Sequence, residues 1–203
     1  GLTAATSTSF DITPAPATHL VFSVQPGATT AGASMTPAVQ VTARDALGNT
    51  ATGFIGNITL ALTGGTGTAG ATLAGTRTVG AVAGVATFST LSIDKSGSDY
   101  TLTANATGLT TTISAPFTIN HGAAAQLAFT LAPSDAVAGV SIAPAVQVTA
   151  RDALGNTVTN FAGSVTVAIA TGTGPTGAVL TGTKIVTAVA GVATFATLSI
   201  DRS

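Results

Sequence analysis

The chain has 203 residues, a formal net charge of −1, no cysteine and no glutamate; charged residues make up 6% of it, against about 25% in an average soluble domain. Hydrophobic residues reach 45% but aromatics only 4%, and 40 residues are threonine. These figures exclude a basic track for nucleic-acid phosphates, a disulfide framework or thiolate metal site, and disorder of the charged, weakly hydrophobic kind.

The first residues, GLTAATSTSFDIT, lack a basic stretch followed by an apolar one and do not read as a signal peptide. If the protein is secreted, its signal lies upstream of this segment. No run of about 18 apolar residues occurs, so no membrane insertion is expected in this segment.

Self-similarity dominates the rest of the chain. PAVQVTARDALGNT at Pro37–Thr50 recurs word for word at Pro144–Thr157, an offset of 107. The offset holds without insertion or deletion, and Leu20–Ser96 shares about 48 of 77 positions with Leu127–Ser203. It also places Phe10 on Phe117 and Ile12 on Ile119. The eight phenylalanines fall into four pairs, Phe10/Phe117, Phe22/Phe129, Phe54/Phe161 and Phe88/Phe195, which read as core. The six basic residues pair as Arg44/Arg151, Arg77/Lys184 and Lys95/Arg202. Two of these pairs exchange Arg for Lys, which suits solvated point charges better than a bidentate site. The histidines do not pair: His19 aligns with Gln126 and His121 with Pro14.

In chain order, each unit shows alternation of period two rather than a helical period. Val39, Val41 and Ala43 face one side of their run, and Ile58, Leu60 and Leu62 share a face in the next. Threonine and valine favour strands, and Leu47-Gly-Asn49, Gly64-Gly65, Ala83-Gly84 and Gly97 mark turns. We read seven strands per unit, at about 20–25, 37–45, 57–63, 71–79, 84–93, 99–105 and 110–119. Such spacing predicts an all-β chain of tandem, immunoglobulin-like Greek-key β-sandwiches joined end to end. Tyr100 opens the sixth strand two residues before inward-facing Leu102, where immunoglobulin-type sandwiches place a tyrosine corner.

The expected domains are residues 1–18, the last strand of a preceding repeat plus a Pro-containing linker; residues 19–119, a complete repeat; and residues 120–203, a second repeat cut before its last two strands. The segment is then either a window on a longer chain or a subunit that exchanges strands with its neighbours. The window is the preferred reading, because donation of residues 1–13 alone leaves the second unit without a mate for Asp99–Asn105. The linker Thr13–Thr18 holds Pro14 and Pro16 and should be stiffer than its counterpart Thr118–Ala125, which holds Gly122.

VQVTARDALGNTVTNFAGSVTVAI, AGVATFATLSID and GSDYTLTANATG resemble bacterial immunoglobulin-like repeats of the invasin and intimin type. The resemblance covers Leu20–Ile119 and the available part of the second unit. It implies a bacterial, extracellular, non-enzymatic setting, secreted or on the cell surface, where most copies space out a distal binding domain of an adhesin.

Several motifs compete with structural readings. Gly65–Gly70 and Gly172–Gly177 match G-x-G-x-x-G, but no helix is expected after either, as a dinucleotide site requires. Asp45, Asn49 and Asp94, with Asp152, Asn156 and Asp201, are the only recurring oxygen ligands of the calcium type. Two carboxylates per unit are few for calcium, and turn-holding by Asp45 and Asn49, with a cap from Asp94 before Gly97, is the preferred reading. An isopeptide cross-link lacks a catalytic acid, and Lys95 is replaced by Arg202. Asn57-Ile-Thr59 and Asn105-Ala-Thr107 match the glycosylation acceptor, uninformative in so threonine-rich a chain. No catalytic, cofactor or metal residue is assigned.

The expected function is a structural spacer of a surface adhesin or extracellular filament, with neighbouring repeats as partners and a homopolymer by strand complementation as a further possibility. A module binding a glycan or host protein is the alternative; no enzyme is expected. With no glutamate and seven aspartates, ion pairs should carry little of the stability. Thermal melts should therefore show a midpoint nearly independent of salt and of pH between about 4 and 9. Trypsin should cut slowly at the six basic residues, because cleavage within strands needs local opening.

Overall fold

The computed structural model describes residues 1–203. It is all-β, and no helix is long and apolar enough to cross a membrane. The first sequence repeat contains β1 (His19–Val24), β2 (Thr29–Thr30), β3 (Val39–Arg44), β4 (Asn57–Leu62), β5 (Leu73–Ala74), β6 (Thr78–Gly80), β7 (Val85–Phe88) and β8 (Ser92–Ile93). β9 (Gly97–Tyr100), β10 (Leu102–Asn105), β11 (Thr112–Ile113) and β12 (Phe117–Asn120) follow. The second repeat contains β13 (Gln126–Leu131), β14 (Val146–Arg151), β15 (Ser164–Thr166), β16 (Leu180–Thr181), β17 (Ile185–Thr187), β18 (Val192–Phe195) and β19 (Ser199–Ile200). Residues 1–18, expected to supply a last strand and a linker, contain no strand.

The chain divides into two compact units. Unit 1 holds Gly1–Thr29, Ser34–Ser92 and Ser98–Thr118; unit 2 holds Thr30–Ala33, Ile93–Gly97 and Ile119–Ser203. In unit 1, β1-β3-β7 form one sheet and β11-β10-β4-β6 another. In unit 2 the sheets are β13-β14-β18, β15-β17 and β16-β19; β2-β12-β9 and β5-β8 are the remaining short sheets.

Equivalent strands of the two repeats pair in the same register. β1 runs antiparallel to β3 with Leu20 opposite Ala43 and Phe22 opposite Val41, and the register shifts between Phe22 and Val24. β13 and β14 repeat this with Leu127 opposite Ala150, Phe129 opposite Val148 and a shift between Phe129 and Leu131. Val39 faces Phe88 across β3 and β7, as Val146 faces Phe195 across β14 and β18. Alternation puts one side of these strands inward. In unit 2 the core joins Ile142, Val146, Val148, Val165, Ala188, Ala193, Phe195 and Leu198, which include residues of β14, β15 and β18. Each has a buried counterpart one offset earlier: Met35, Val39, Val41, Ile58, Ala81, Ala86, Phe88 and Leu91. Nonpolar burial of this kind contributes about 25 cal/mol per Å².

The four long strands expected at 71–79, 84–93, 99–105 and 110–119 are each split in two. The cause is local. Gly75, at φ +90°, separates β5 from β6, and any Cβ there would collide with the Thr90 carbonyl, itself between β7 and β8. Thr90 Oγ1 also accepts the Thr76 N–H at 2.9 Å. The chain therefore changes sheets on both strands at one crossing, and Gly182 against Thr197 repeats it. Thr101 separates β9, which pairs in the β12 sheet, from β10, which pairs with β4 and β11. Pro116, with no N–H to donate, lies in the gap between β11 and β12.

The phenylalanine pairs are not all core. Phe88 and Phe195 are fully buried, and Phe54 and Phe161 are half-buried under Gly56 and Gly163. Phe22 is 6% exposed but Phe129 59%. Phe10, in the strandless segment, is 76% exposed although Phe117 is buried.

Ala83-Gly84 and Ala190-Gly191 are two-residue turns with both φ angles positive, closed by paired bonds between Val82 and Val85 and between Val189 and Val192. Alanine is strained there, whereas asparagine tolerates the left-handed region. Ala83→Asn should raise stability by about 1 kcal/mol in urea unfolding. Gly75→Ala should lower it by about 2 kcal/mol or more, since its collision is with backbone.

Candidate functional site

The recurring polar group of each repeat is built around a buried aspartate. Asp45 is 1% exposed and Asp152 2%. Asp45 Oδ1 accepts the N–H groups of Leu47 at 3.0 Å and Asn49 at 2.9 Å. Its Oδ2 accepts Asn49 Nδ2 at 3.1 Å and the Ala15 N–H, thirty residues upstream, at 3.1 Å. Asp152 does the same with Leu154 at 2.9 Å, Asn156 N–H at 2.8 Å, Asn156 Nδ2 at 3.0 Å and the Gly122 N–H at 2.8 Å. Ala15 and Gly122 are equivalent positions one offset apart.

The sequence makes this local structure. The Asp45 N–H donates to the Asn49 carbonyl at 3.0 Å, and the Gly48 N–H donates to the Asp45 carbonyl at 3.1 Å. Gly48 takes φ +85°, a conformation that suits glycine. The turn reading of Asp45 and Asn49 is thus realised, and the carboxylate additionally fastens the incoming linker. A carboxylate offers about four acceptor sites, and four donors occupy them, so calcium would have to displace bonds already made. Asn156 also donates from Nδ2 to the Asp94 carbonyl at 3.0 Å and takes the Ser96 N–H on Oδ1 at 3.0 Å, within unit 2.

Both carboxyls titrate below the ordinary aspartate value of 3.8. For Asp45 the Asn49 side chain is the main cause, opposed by burial and helped by the N–H groups of Asn49, Ala15 and Leu47. For Asp152 burial is the largest influence and acts upward, but the bonds from Gly122, Asn156 and Leu154 together outweigh it.

The other candidates are placed as follows. Asp201, the mate of Asp94, takes the Val179 N–H at 2.7 Å and makes a 3.7 Å ion pair with Arg202, both side chains partly exposed. No three His, Cys, Asp or Glu side chains converge. The two G-x-G-x-x-G segments are loops between strands whose glycines all have positive φ. At Gly67 there is also a packing cause that sequence reading missed: a Cβ there would collide with the ring of Tyr100. Tyr100 is fully buried with its ring 6.0 Å from that of Phe117, and Leu102 is fully buried, as expected of an inward position. Arg77 and Lys184 are exposed, but Arg44 and Arg151 each bury an Nε with no hydrogen-bond partner. Asn57 and Asn105 are exposed at strand ends. His19 Nδ1 bonds Thr18 Oγ1 at 3.0 Å, and His121 Nδ1 bonds the Gly122 carbonyl at 2.8 Å.

No family model matches the chain, and no curated protein matches it. Among solved structures it is similar to FdeC, described as a novel broadly conserved Escherichia coli adhesin eliciting protection against urinary tract infections. The identity is 22%, the TM-score 0.46, and the match covers 93% of this chain and 57% of that one. The chain thus spans 57% of the length of that structure, and a likeness at that score carries no argument about function.

The lowered carboxyls fix the sign of an acid effect. Their stabilisation is fully present above the unfolded value, near 3.8, and is lost as pH falls below it toward the folded values. Melting of the wild type should be flat from about pH 5 to 8 and drop steeply below about pH 4. Asp152→Asn, which turns an amide donor toward N–H donors, should melt lower than wild type at pH 7 and converge with it in acid. Curves that stay parallel down to pH 2 would falsify the carboxylate role.

Proposed function

We propose that this chain is a structural segment of a bacterial surface or secreted protein, extending an adhesin or fibre by repeated sandwich units. The observation that carries the reading is the duplication, at one fixed offset, of the eight core positions and of the carboxylate that fastens the linker at Ala15 and Gly122. The recurring polar residues that sequence reading singled out as ligands are bonded to the chain's own backbone and side chains. Such a unit supplies length and rigidity, and its stability adds up from its own core and its nearest neighbours. The resemblance to invasin- and intimin-type repeats supports an extracellular setting. No catalytic role is proposed.

Single-molecule pulling tests this. A spacer should resist load in two separate steps, one per unit. Beads coated with the chain should not adhere to epithelial cells. A single low-force event, or firm adhesion by the chain alone, would favour a binding module instead.

A further inference from the structure

Unit 2 contains two short segments of the first sequence repeat, Thr30–Ala33 and Ile93–Gly97. Backbone bonds hold them in place: the Gly32 N–H donates to the Ile93 carbonyl at 2.8 Å, and the Ala31 N–H to the Asn120 carbonyl at 2.8 Å. The turn Asp152–Asn156 of the second repeat touches both segments. Leu154 Cδ1 lies 2.9 Å from where a Cβ on Gly32 would stand, so it occupies the place of the missing side chain. Asn156 Oδ1 accepts the Ser96 N–H at 3.0 Å, and Nδ2 donates to the Asp94 carbonyl and to Asp152 Oδ2, each at 3.0 Å. An amide side chain offers two N–H donors and one carbonyl acceptor. In Asn156 all three are engaged, and two of the partners stand 60 and 62 residues upstream.

The same turn also holds the linker. Asp152 Oδ2 takes the Gly122 N–H at 2.8 Å, and a Cβ on Gly122 would stand 3.4 Å from the Asp152 Cβ. The stretch Asn120–Gly122 is thus tied at one end to Ala31 and at the other to Asp152. Further on, the Ala125 N–H donates to the Arg151 carbonyl at 2.8 Å. By composition this linker, Gly122 followed by three alanines, lacks the proline that stiffens Thr13–Thr18. Its restraint comes from bonds made by residues outside it.

We propose that Leu154 and Asn156 are a clamp that grips Gly32 and Asp94–Ser96 within unit 2, and that this clamp keeps the Gly122–Ala125 linker stiff. The surface is the tip of the turn, and its partner is a segment of this same chain from the first sequence repeat. Leu154 supplies an apolar contact and Asn156 two amide bonds, so the grip needs no ion pair. Asn156 joins the two halves of the device, because the Nδ2 that reaches Asp94 also bonds the carboxylate that fastens Gly122. The proposal rests on the reading of the chain as a structural segment, and deepens it by naming the residues that supply rigidity.

Amide hydrogen exchange and nitrogen-15 relaxation of the 203-residue chain test it. In the wild type the Ser96 amide should be protected, and Gly122–Ala125 should show order parameters of about 0.85. N156A should speed Ser96 exchange by about tenfold or more and lower the linker order parameters to about 0.6 or less. L154D should act in the same direction; Leu154 is 53% exposed, so this variant keeps the core and leaves the Asn156 bonds able to form. N49A and L47D make the same changes in the equivalent turn, where Asn49 Nδ2 bonds the buried Asp45, and should leave Ser96 and the linker as they are. Exchange of the Leu154 amide should change no more in N156A than that of the Leu47 amide in N49A, which shows that the turn survives. The proposal is overturned by a wild-type linker already below about 0.6, or by one equally ordered in wild type, N156A and L154D. It is equally overturned if N156A leaves Ser96 exchange unchanged or N49A accelerates it as much. Adhesion of the wild-type chain to cells would end the spacer reading and leave these amides unaffected, so the two failures are distinguishable.

Discussion

Each repeat depends on one carboxylate that has no partner of opposite charge. Asp45 and Asp152 are buried and satisfied entirely by N–H groups, two from their own turn backbone, one from an asparagine side chain and one from the linker. Burying an ion is tolerable only when its lone pairs are met, and donors from three parts of the loop must converge to meet them. The turn conformation, the position of the linker and the identity of Asn49 and Asn156 are thereby tied to one group. Loss of any one donor without a replacement would leave a buried lone pair unmet, and the constellation recurs unchanged while the linkers around it, proline-rich in one case and glycine- and alanine-rich in the other, differ.

Elsewhere, neutral hydroxyl pairs take the place that ion pairs occupy in charged surfaces. Thr59 bonds Thr78 at 2.9 Å across β4 and β6, and Thr63 bonds Thr103 at 2.8 Å. Thr42 donates to Ser23 at 2.8 Å, and the equivalent Thr149 bonds Thr130 at 2.8 Å. Cross-strand pairs of this type each contribute a few tenths of a kcal/mol and need no counter-ion. The abundance of threonine is thus partly a means of stitching strands together without charge.

Much of this was legible in the sequence, because the repeat compared every residue with its mate. The runs of period two placed β1, β3 and β4 within a residue or so, and paired Val and Ala positions marked the core. The four split strands were not legible, since an apolar-alternating run does not record which sheet each half joins; that is decided at Gly75 by the approach of Thr90, fifteen residues away. Pairing of Phe22 with Phe129 signalled like sequence, but burial belongs to the neighbours, and Phe129 has fewer of them. The Asx turn at Asp45 was readable from its spacing, whereas the bond to Ala15 spans thirty residues and leaves no local trace. Glycine spacing in the two G-x-G-x-x-G loops signalled backbone freedom, and only the ring of Tyr100 explains why Gly67 in particular cannot carry a side chain.

The identity of β3 and β14, both Val-Gln-Val-Thr-Ala-Arg, bears on how the chain reaches its fold. β3 could pair with β13, and β14 with β1, in the registers each now uses with its own partner. Only small differences on the flanking strands, such as Val21 against Ala128 and Val24 against Leu131, separate right from wrong pairing. Tandem copies this alike are prone to exchange strands before either is complete. Order of synthesis then becomes a safeguard: the first copy can close around its own β3 before the second copy of that strand exists.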